Sequence, residues 1–310
     1  MKRFLTILAC LTLAAAAWGQ TDAAGFKARY DRQTRIVGNA GVGVETILDR
    51  WEEAYPDDPA MFEGRYMFWL AKSMGSTVVA KDKPRYLGNE PVLTLKDSTG
   101  TDVFYFEDNV FTDSLFAKSQ SAIDRAIALE PDELGYRVDK ITALMLYEKD
   151  SPDMATQELL KLIGYQKSAK PEWTYYGLPV DEDSFKNTIQ EYCYNFFRYA
   201  TPGSYEAFRT VSEAMLKLYP RDTDFMNNLG SYWLVCKQNN RKALQWYNKV
   251  LKINPKDYTA AKNCVILARK DNNVKLEKKY LPVLIEATDS ETERRSSQLR
   301  LESLSAKKKK

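Results

Sequence analysis

The chain has 310 residues, 44% of them apolar and 28% charged, with 14 Gly and 12 Pro, which excludes collagen-like and globally disordered classes and allows a large core. It contains no histidine, so imidazole bases, Ser-His and Cys-His nucleophile pairs and every His-containing metal site are excluded. The formal charge of +3 becomes −3 once the six basic residues Lys2, Arg3 and Lys307 to Lys310 are set aside, and with basic residues run together only at the terminus, nucleic acid is not an expected partner.

Met1-Lys2-Arg3, the apolar stretch from Phe4 to Trp18 and the small residues Ala17 and Gly19 have the layout of a secretory signal over residues 1–19, with Gln20 starting the mature chain. The apolar stretch is 15 residues, short of the roughly 20 that a membrane-spanning helix needs. No later segment spans, so no transmembrane segment is expected after cleavage. Ile7-Leu8-Ala9-Cys10 is similar to a bacterial lipoprotein box, yet apolar residues continue past Cys10. An exported periplasmic or cell-envelope protein is expected, soluble in preference to lipid-anchored. Three cysteines remain in the mature chain, Cys193, Cys236 and Cys264, at spacings that match no zinc pattern, and they read as small buried hydrophobes.

Helical periodicity predicts six pairs: 26–38 with 44–55, 59–73 with 112–129, 133–148 with 152–166, 183–199 with 204–219, 224–236 with 241–253, and 257–269 with 274–286. Asp58-Pro59 and Ser151-Pro152 look like helix starts, a capping side chain before a proline. Between 74 and 111, Val92-Leu93-Thr94-Leu95 and Val103-Phe104-Tyr105-Phe106 flank Asp97-Ser98-Thr99-Gly100, which predicts a β-hairpin. Residues 167–182 form an expected aromatic loop carrying Trp173, Tyr175 and Tyr176. Residues 288–310 turn to Ser, Glu, Arg and Lys, and a disordered tail is expected, with a short helix at most around 299–304.

Met226-x2-Leu229-Gly230-x2-Trp233 is followed by Ala243-x3-Tyr247-x2-Val250-x4-Pro255. The spacing suits two antiparallel helices that approach through the small residues Gly230 and Ala243, while Leu229, Trp233, Tyr247 and Val250 fill the seam. The second half recurs in register as Val44, Leu48, Trp51, Pro56 and as Ser119, Ile123, Ala126, Pro131. A looser copy, Phe208, Ser212, Met215, ends at Pro220. The prolines are followed by Asp57, Asp132, Asp222 and Asp257, suited to the next helix start. Pro220 and Pro255 lie 35 residues apart, one repeat length.

This pattern resembles the tetratricopeptide repeat (TPR), whose signature is W-x2-L-G-x2-Y, then A-x3-F, then P. Met226, Trp233 and Tyr247 stand in for the Trp, Tyr and Phe, and the turn 237–241 is one residue longer than the family's. The resemblance implies an all-α solenoid, a right-handed superhelix of TPR-type helix pairs with one small β-hairpin insertion, that binds a protein or peptide along its first helices without enzymatic activity. The family's carboxylate clamp would need a Lys and an Asn where this chain has Asn227 and Ser231, so recognition of chaperone tails is not implied. The architecture is also similar to that of bacterial outer-membrane glycan-binding lipoproteins built on such repeats.

On that basis the groove-facing candidates are Asp224, Asn227, Ser231 and Val235, a surface that is polar but uncharged at its centre. Trp173, Tyr175 and Tyr176 form a candidate aromatic platform for a glycan, weighed against rings that tuck between repeats. The stripe Phe62, Tyr66, Trp69 reads as core, and Asp181-Glu182-Asp183 as the acidic first turn of a helix in preference to a metal or catalytic site. No cofactor, metal or catalytic residue is expected. Three functions remain: a partner-binding envelope protein first, a glycan-binding accessory protein second, and a hydrolase using carboxylates alone third, for which the sequence pairs no acids.

Overall fold

The computed structural model describes residues 22–306. The signal, its cleavage site, Cys10 and the tail Lys307 to Lys310 lie outside the described residues. The fold is all-α with a small β insertion, and helix follows helix as the periodicity predicts: α1 Ala23–Val37, α2 Val44–Ala54, α3 Pro59–Ser73, α4 Asp113–Leu129, α5 Leu134–Glu148, α6 Asp153–Ala169, α7 Glu182–Tyr199, α8 Pro202–Leu218, α9 Thr223–Ser231, α10 Asn240–Ile253, α11 Tyr258–Lys270, α12 Val274–Ala287 and α13 Glu291–Ala306. Side-chain caps set many of the starts. Asp22, Asp58, Asp181, Asp222 and Asp257 each accept a backbone N–H of the helix that follows, and Thr201 and Ser204 form a capping box on α8. Ser151 does not cap α6. Its first-turn N–H groups, those of Met154 and Ala155, are accepted instead by the Glu148 carboxylate at 2.6 and 2.8 Å.

The chain forms two compact units: residues 22–80, 107–147 and 172–179 make the first, and 81–106, 148–171 and 180–306 the second. The helices expected to pair over 133–148 and 152–166 are therefore divided between them. In the first unit Val44, Leu48 and Trp51 are fully buried, with Phe26 stacked on Trp51 at 6.3 Å. Here α3 packs along α4, which buries Ser119, Ile123 and Ala126 completely. In the second unit Ala243, Tyr247 and Val250 are equally dry, and so are Ser212 and Met215 of the looser copy, with Phe208 at 3% exposed. The 4-3-5 spacing thus marks the core face of four second helices. Ser212 is tolerated there because its hydroxyl donates to the Phe208 carbonyl at 2.7 Å and accepts from Asn228 at 3.2 Å.

The hairpin forms as predicted from β2 (Leu93–Lys96) and β3 (Asp102–Phe111), antiparallel with Leu93 opposite Tyr105 and Lys96 opposite Asp102. Asp97 closes the turn by accepting the N–H groups of Thr99 and Thr101 at 2.8 and 3.0 Å. A further strand, β1 (Met74–Lys81), was not expected. It follows α3 without a break, and Ser76 beside Glu107 at 3.0 Å ties it to the far end of β3. The aromatic loop is also more ordered than expected: α6 runs to Ala169, and β4 (Thr174–Tyr175) and β5 (Leu178–Pro179) form a minimal antiparallel hairpin.

The extra residue near 237–241 is absorbed inside the first helix of its pair. Tyr232–Cys236 is a π turn continuing α9, with Lys237 N–H bonded to the Tyr232 carbonyl at 3.2 Å, a device that admits one residue without ending the helix.

The expectation of a disordered tail is corrected. Residues 291–306 form α13, anchored by contacts that apolar periodicity does not reveal. Glu277 of α12 has a side chain only 3% exposed, and its carboxylate takes Arg300 of α13 in a two-oxygen fork, both contacts at 3.0 Å, and Arg269 of α11 at 2.8 Å. Arg294 covers the end of α12 by donating to the Ile285 and Thr288 carbonyls, and Ser297 and Leu304 are buried. Because Arg269 still compensates Glu277, Arg300→Ala is expected to cost about 1–2 kcal/mol, below the 3–5 kcal/mol typical of a buried ion left alone. Urea unfolding checks it, and an unchanged midpoint would mean that α13 is not docked in solution.

Candidate functional site

The first unit holds a cavity of about 800 Å³ whose walls include Lys27 of α1, Ala60 and Glu63 of α3, Glu130, Asp132, Glu133 and Tyr136 around the start of α5, and Glu172, Thr174, Tyr176 and Gly177 of the hairpin. Carboxylates outnumber the single lysine, which is itself paired with Asp31 at 3.0 Å.

Glu133 organises one wall. It is 7% exposed and makes no ion pair among the described residues; four hydrogen bonds hold its carboxylate. Oε1 accepts the N–H of Gly135 at 2.9 Å and of Tyr176 at 2.7 Å, and Oε2 accepts the Thr174 hydroxyl at 2.8 Å and the Gly177 N–H at 3.3 Å. The hairpin turn so held is built from Tyr176 and Gly177, both at positive φ (+49° and +77°), as a two-residue turn between right-twisted strands requires. Tyrosine is an unusual occupant of that region, and its side chain is tied as well: its hydroxyl donates to Asp139 at 2.6 Å. Gly135 has no side chain because a Cβ there would lie 2.8 Å from Glu133 Oε1 and 3.1 Å from the Tyr176 ring.

The opposite wall carries Glu63. Burial pushes its pKa up to about 7; Lys27 opposes this, while the charges of Asp139, Asp31 and Glu133 add to it. Burial also raises Asp139, against the lowering effect of the Tyr176 hydroxyl and with Glu133 raising it further. The Tyr136 and Tyr176 phenols are pushed up by burial and by the same carboxylates, so both remain neutral donors. Tyr136 donates to Glu130 at 3.2 Å.

The aromatic candidates divide. Trp173 is 4% exposed beneath Arg137, its ring center 5.6 Å from the guanidinium carbon, so it is not part of a platform. Tyr175 and Tyr176 are 41% and 45% exposed and meet edge to face at 5.0 Å.

The groove candidates of the second unit do not form one surface. Asp224 lines a separate hollow of about 650 Å³ with Lys186, Tyr219 and Asn254, where burial and then the charges of Asp222 and Asp257 raise its pKa. Asn227 was expected to face a groove but is 6% exposed and donates from Nδ2 to the capping carboxylate of Asp257 at 3.1 Å. Ser231 was expected outside the helix seam, and it instead lies 3.2 Å from the Tyr247 hydroxyl across that seam. Val235 is 47% exposed on the π turn. The physical reason is the same for Asn227 and Ser231: both polar groups satisfy neighbours in the packed array. Asp181 caps α7 and Asp183 pairs with Lys186 at 2.7 Å, which is the electrostatics of a helix start. Tyr66 is 2% exposed and donates to the Asp139 carbonyl, and Phe62 and Trp69 pack on the core, as the stripe predicts.

Among the described residues no helix is long and apolar enough to cross a membrane, and no group of three Cys, Asp or Glu side chains is placed to hold a metal ion. Cys193, Cys236 and Cys264 are free thiols, each pushed up to about 12 by burial.

Glu133 and Glu63 escaped sequence reasoning because their partners are distant. The Glu133 contacts to the hairpin span 41 to 44 residues, and no local motif announces them. No family model and no curated protein matches the chain. One solved structure, described as "Functional Characterization of Pseudomonas Aeruginosa pilF", is similar over 62% of this chain and 78% of its own, at 14% identity and a TM-score of 0.39. A likeness of that size lends no weight to fold or function.

Proposed function

We propose that the chain is an exported, non-enzymatic TPR-type repeat protein of the cell envelope, and that a protein partner seats a lysine or arginine side chain in the cavity of the first unit. The observation that carries this is the cavity itself: about 800 Å³ of concave space with tyrosine edges, several carboxylates and one lysine, a surface complementary to a cation with an apolar stem. Such side chains dock through charge-assisted hydrogen bonds, and the fixed acceptors around Tyr176 are held in place before binding. The repeat pattern supports a binding role in preference to a catalytic one.

Ala60→Arg tests it, since a guanidinium grown from the first turn of α3 fills the space and supplies the missing charge. A partner captured by crosslinking from envelope fractions is expected to be lost in this variant, with the helical circular dichroism unchanged. Capture retained in Ala60→Arg would remove the cavity from the interface. A second function, glycan binding, is favoured by the exposed rings of Tyr175 and Tyr176 beside the same cavity; tyrosine fluorescence that shifts with soluble glycans and not with arginine-rich peptides would establish it instead.

A further inference from the structure

The cavity gathers titratable groups from every element that forms it. Glu63 of α3 faces Lys27, Tyr30 and Asp31 of α1, Glu133, Tyr136 and Asp139 at the start of α5, and Tyr176 of the hairpin. From α4 only Leu129 reaches the cavity wall, and α2 contributes none of the described lining residues. Two of those groups do mechanical work. Glu133 holds both N–H groups of the hairpin turn, and Asp139 holds the hydroxyl of the residue that occupies its strained position.

We propose that Glu63 and the Tyr176 hairpin form a pH-responsive clasp on the cavity: protonated Glu63 leaves the hairpin docked on Glu133 and Asp139, and ionisation of Glu63 loosens it. The cause is electrostatic. Burial in the cavity is the largest cause that holds the proton on Glu63; the charges of Asp139, Asp31 and Glu133 add to it, and Lys27, which also pairs with Asp31, opposes it. Thr174, Tyr176 and Gly177 of the hairpin line the same cavity as Glu63, so undocking admits water to the carboxyl and relieves its burial, while docking keeps the proton on. The docked state therefore holds more protons than the undocked state between the ordinary carboxylate value of 4.5 and the docked value of about 7. Docking weakens as pH rises through that window. If undocking restored the ordinary value fully, the opening equilibrium would grow by about 70-fold between pH 5 and 8.5; partial relief makes about tenfold the expected figure.

This deepens the assignment of the cavity as the partner's seat, and its test reads the protein alone, so the two fail separately. Amide hydrogen exchange, corrected for the intrinsic rate at each pH, is followed in the segment 172–179, which contains the Tyr176 and Gly177 N–H groups. Protection in the wild-type chain is expected to fall about tenfold from pH 5 to 8.5 and to stay flat in Glu63→Gln. Protection that is flat in the wild type, or that keeps its slope in Glu63→Gln, overturns the clasp. Should Glu63→Gln not fold, carbon-13 titration of the wild-type Glu63 carboxyl decides, and a midpoint near 4.5 overturns it equally.

Discussion

Gly230→Leu is expected to cost the second unit about 3 kcal/mol or more, and Gly230→Ala about 1–3 kcal/mol. A methyl group at Gly230 would sit against the Tyr247 ring, with Cδ1 and Cζ each 2.8 Å away, where carbon atoms prefer about 3.5–4.0 Å. The ring has nowhere to go. Tyr247 is fully buried, and its hydroxyl lies 3.2 Å from Ser231 on the same helix that carries the glycine. The close approach is therefore between α9 and a ring of α10, and the small residue Ala243 is buried in the same core cluster as that ring. Gly164 supplies the control: it is an exposed position on α6 with nothing within 4 Å of a Cβ, so Gly164→Ala is expected to stabilise by about 0.5–1 kcal/mol through helix propensity. Urea unfolding of the two alanine variants should shift in opposite directions. A Gly230→Ala midpoint that does not fall would remove the repeat register on which the pairing of α9 with α10 rests.

What could be read before the structure follows from what periodicity encodes. The three residues of each 4-3-5 set are apolar or small, face one way and repeat, and all four sets are buried. The hairpin was legible because Asp97 and Gly100 carry turn chemistry between two β-rich runs. β1 was not, since Met74–Lys81 continues directly from α3, none of its residues is fully buried, and the half-buried positions of its second half fall on Thr77, Val79 and Lys81, which make no apolar stripe. α13 escaped for a related reason: its docking face is made of Ser297, Arg300 and Leu304, and two of those three residue types read as solvent-facing until Glu277, some twenty residues earlier, is placed opposite. Asn227 and Ser231 show the reverse error. Their polarity suggested a ligand, while their hydrogen bonds serve Asp257 and Tyr247. Polar residues on packed helices are ambiguous in sequence because the partner that would absorb them lies in another element.

The same ambiguity makes Glu133 the most informative side chain to remove. Glu133→Ala is expected to cost the first unit about 3 kcal/mol and to release the hairpin before anything else unfolds. Four donors lose a charged acceptor at once, those of Gly135, Thr174, Tyr176 and Gly177, and bonds to an ionised group contribute about 1.5–3 kcal/mol each when counted alone. The sum overshoots, because the variant also recovers the cost of holding a carboxylate at 7% exposure, and because the four bonds share one group and are not independent. What remains is amplified by backbone strain: Tyr176 at φ +49° is sustained by Glu133 on its N–H and Asp139 on its hydroxyl, and with the first gone the second holds a side chain whose backbone prefers to leave. Glu133→Gln separates charge from shape. Its amide oxygen can serve the Gly135 and Tyr176 N–H groups while its NH₂ donates to a rotated Thr174 hydroxyl, leaving only the long Gly177 contact unmade, so a loss of about 1 kcal/mol is expected. Proteolytic cleavage within 172–179 should accelerate strongly in the alanine variant and only modestly in the glutamine one. Equal resistance in both would show that the hairpin is held by its neighbours and not by this carboxylate, and would leave the cavity wall, and with it the proposed binding site, without its anchor.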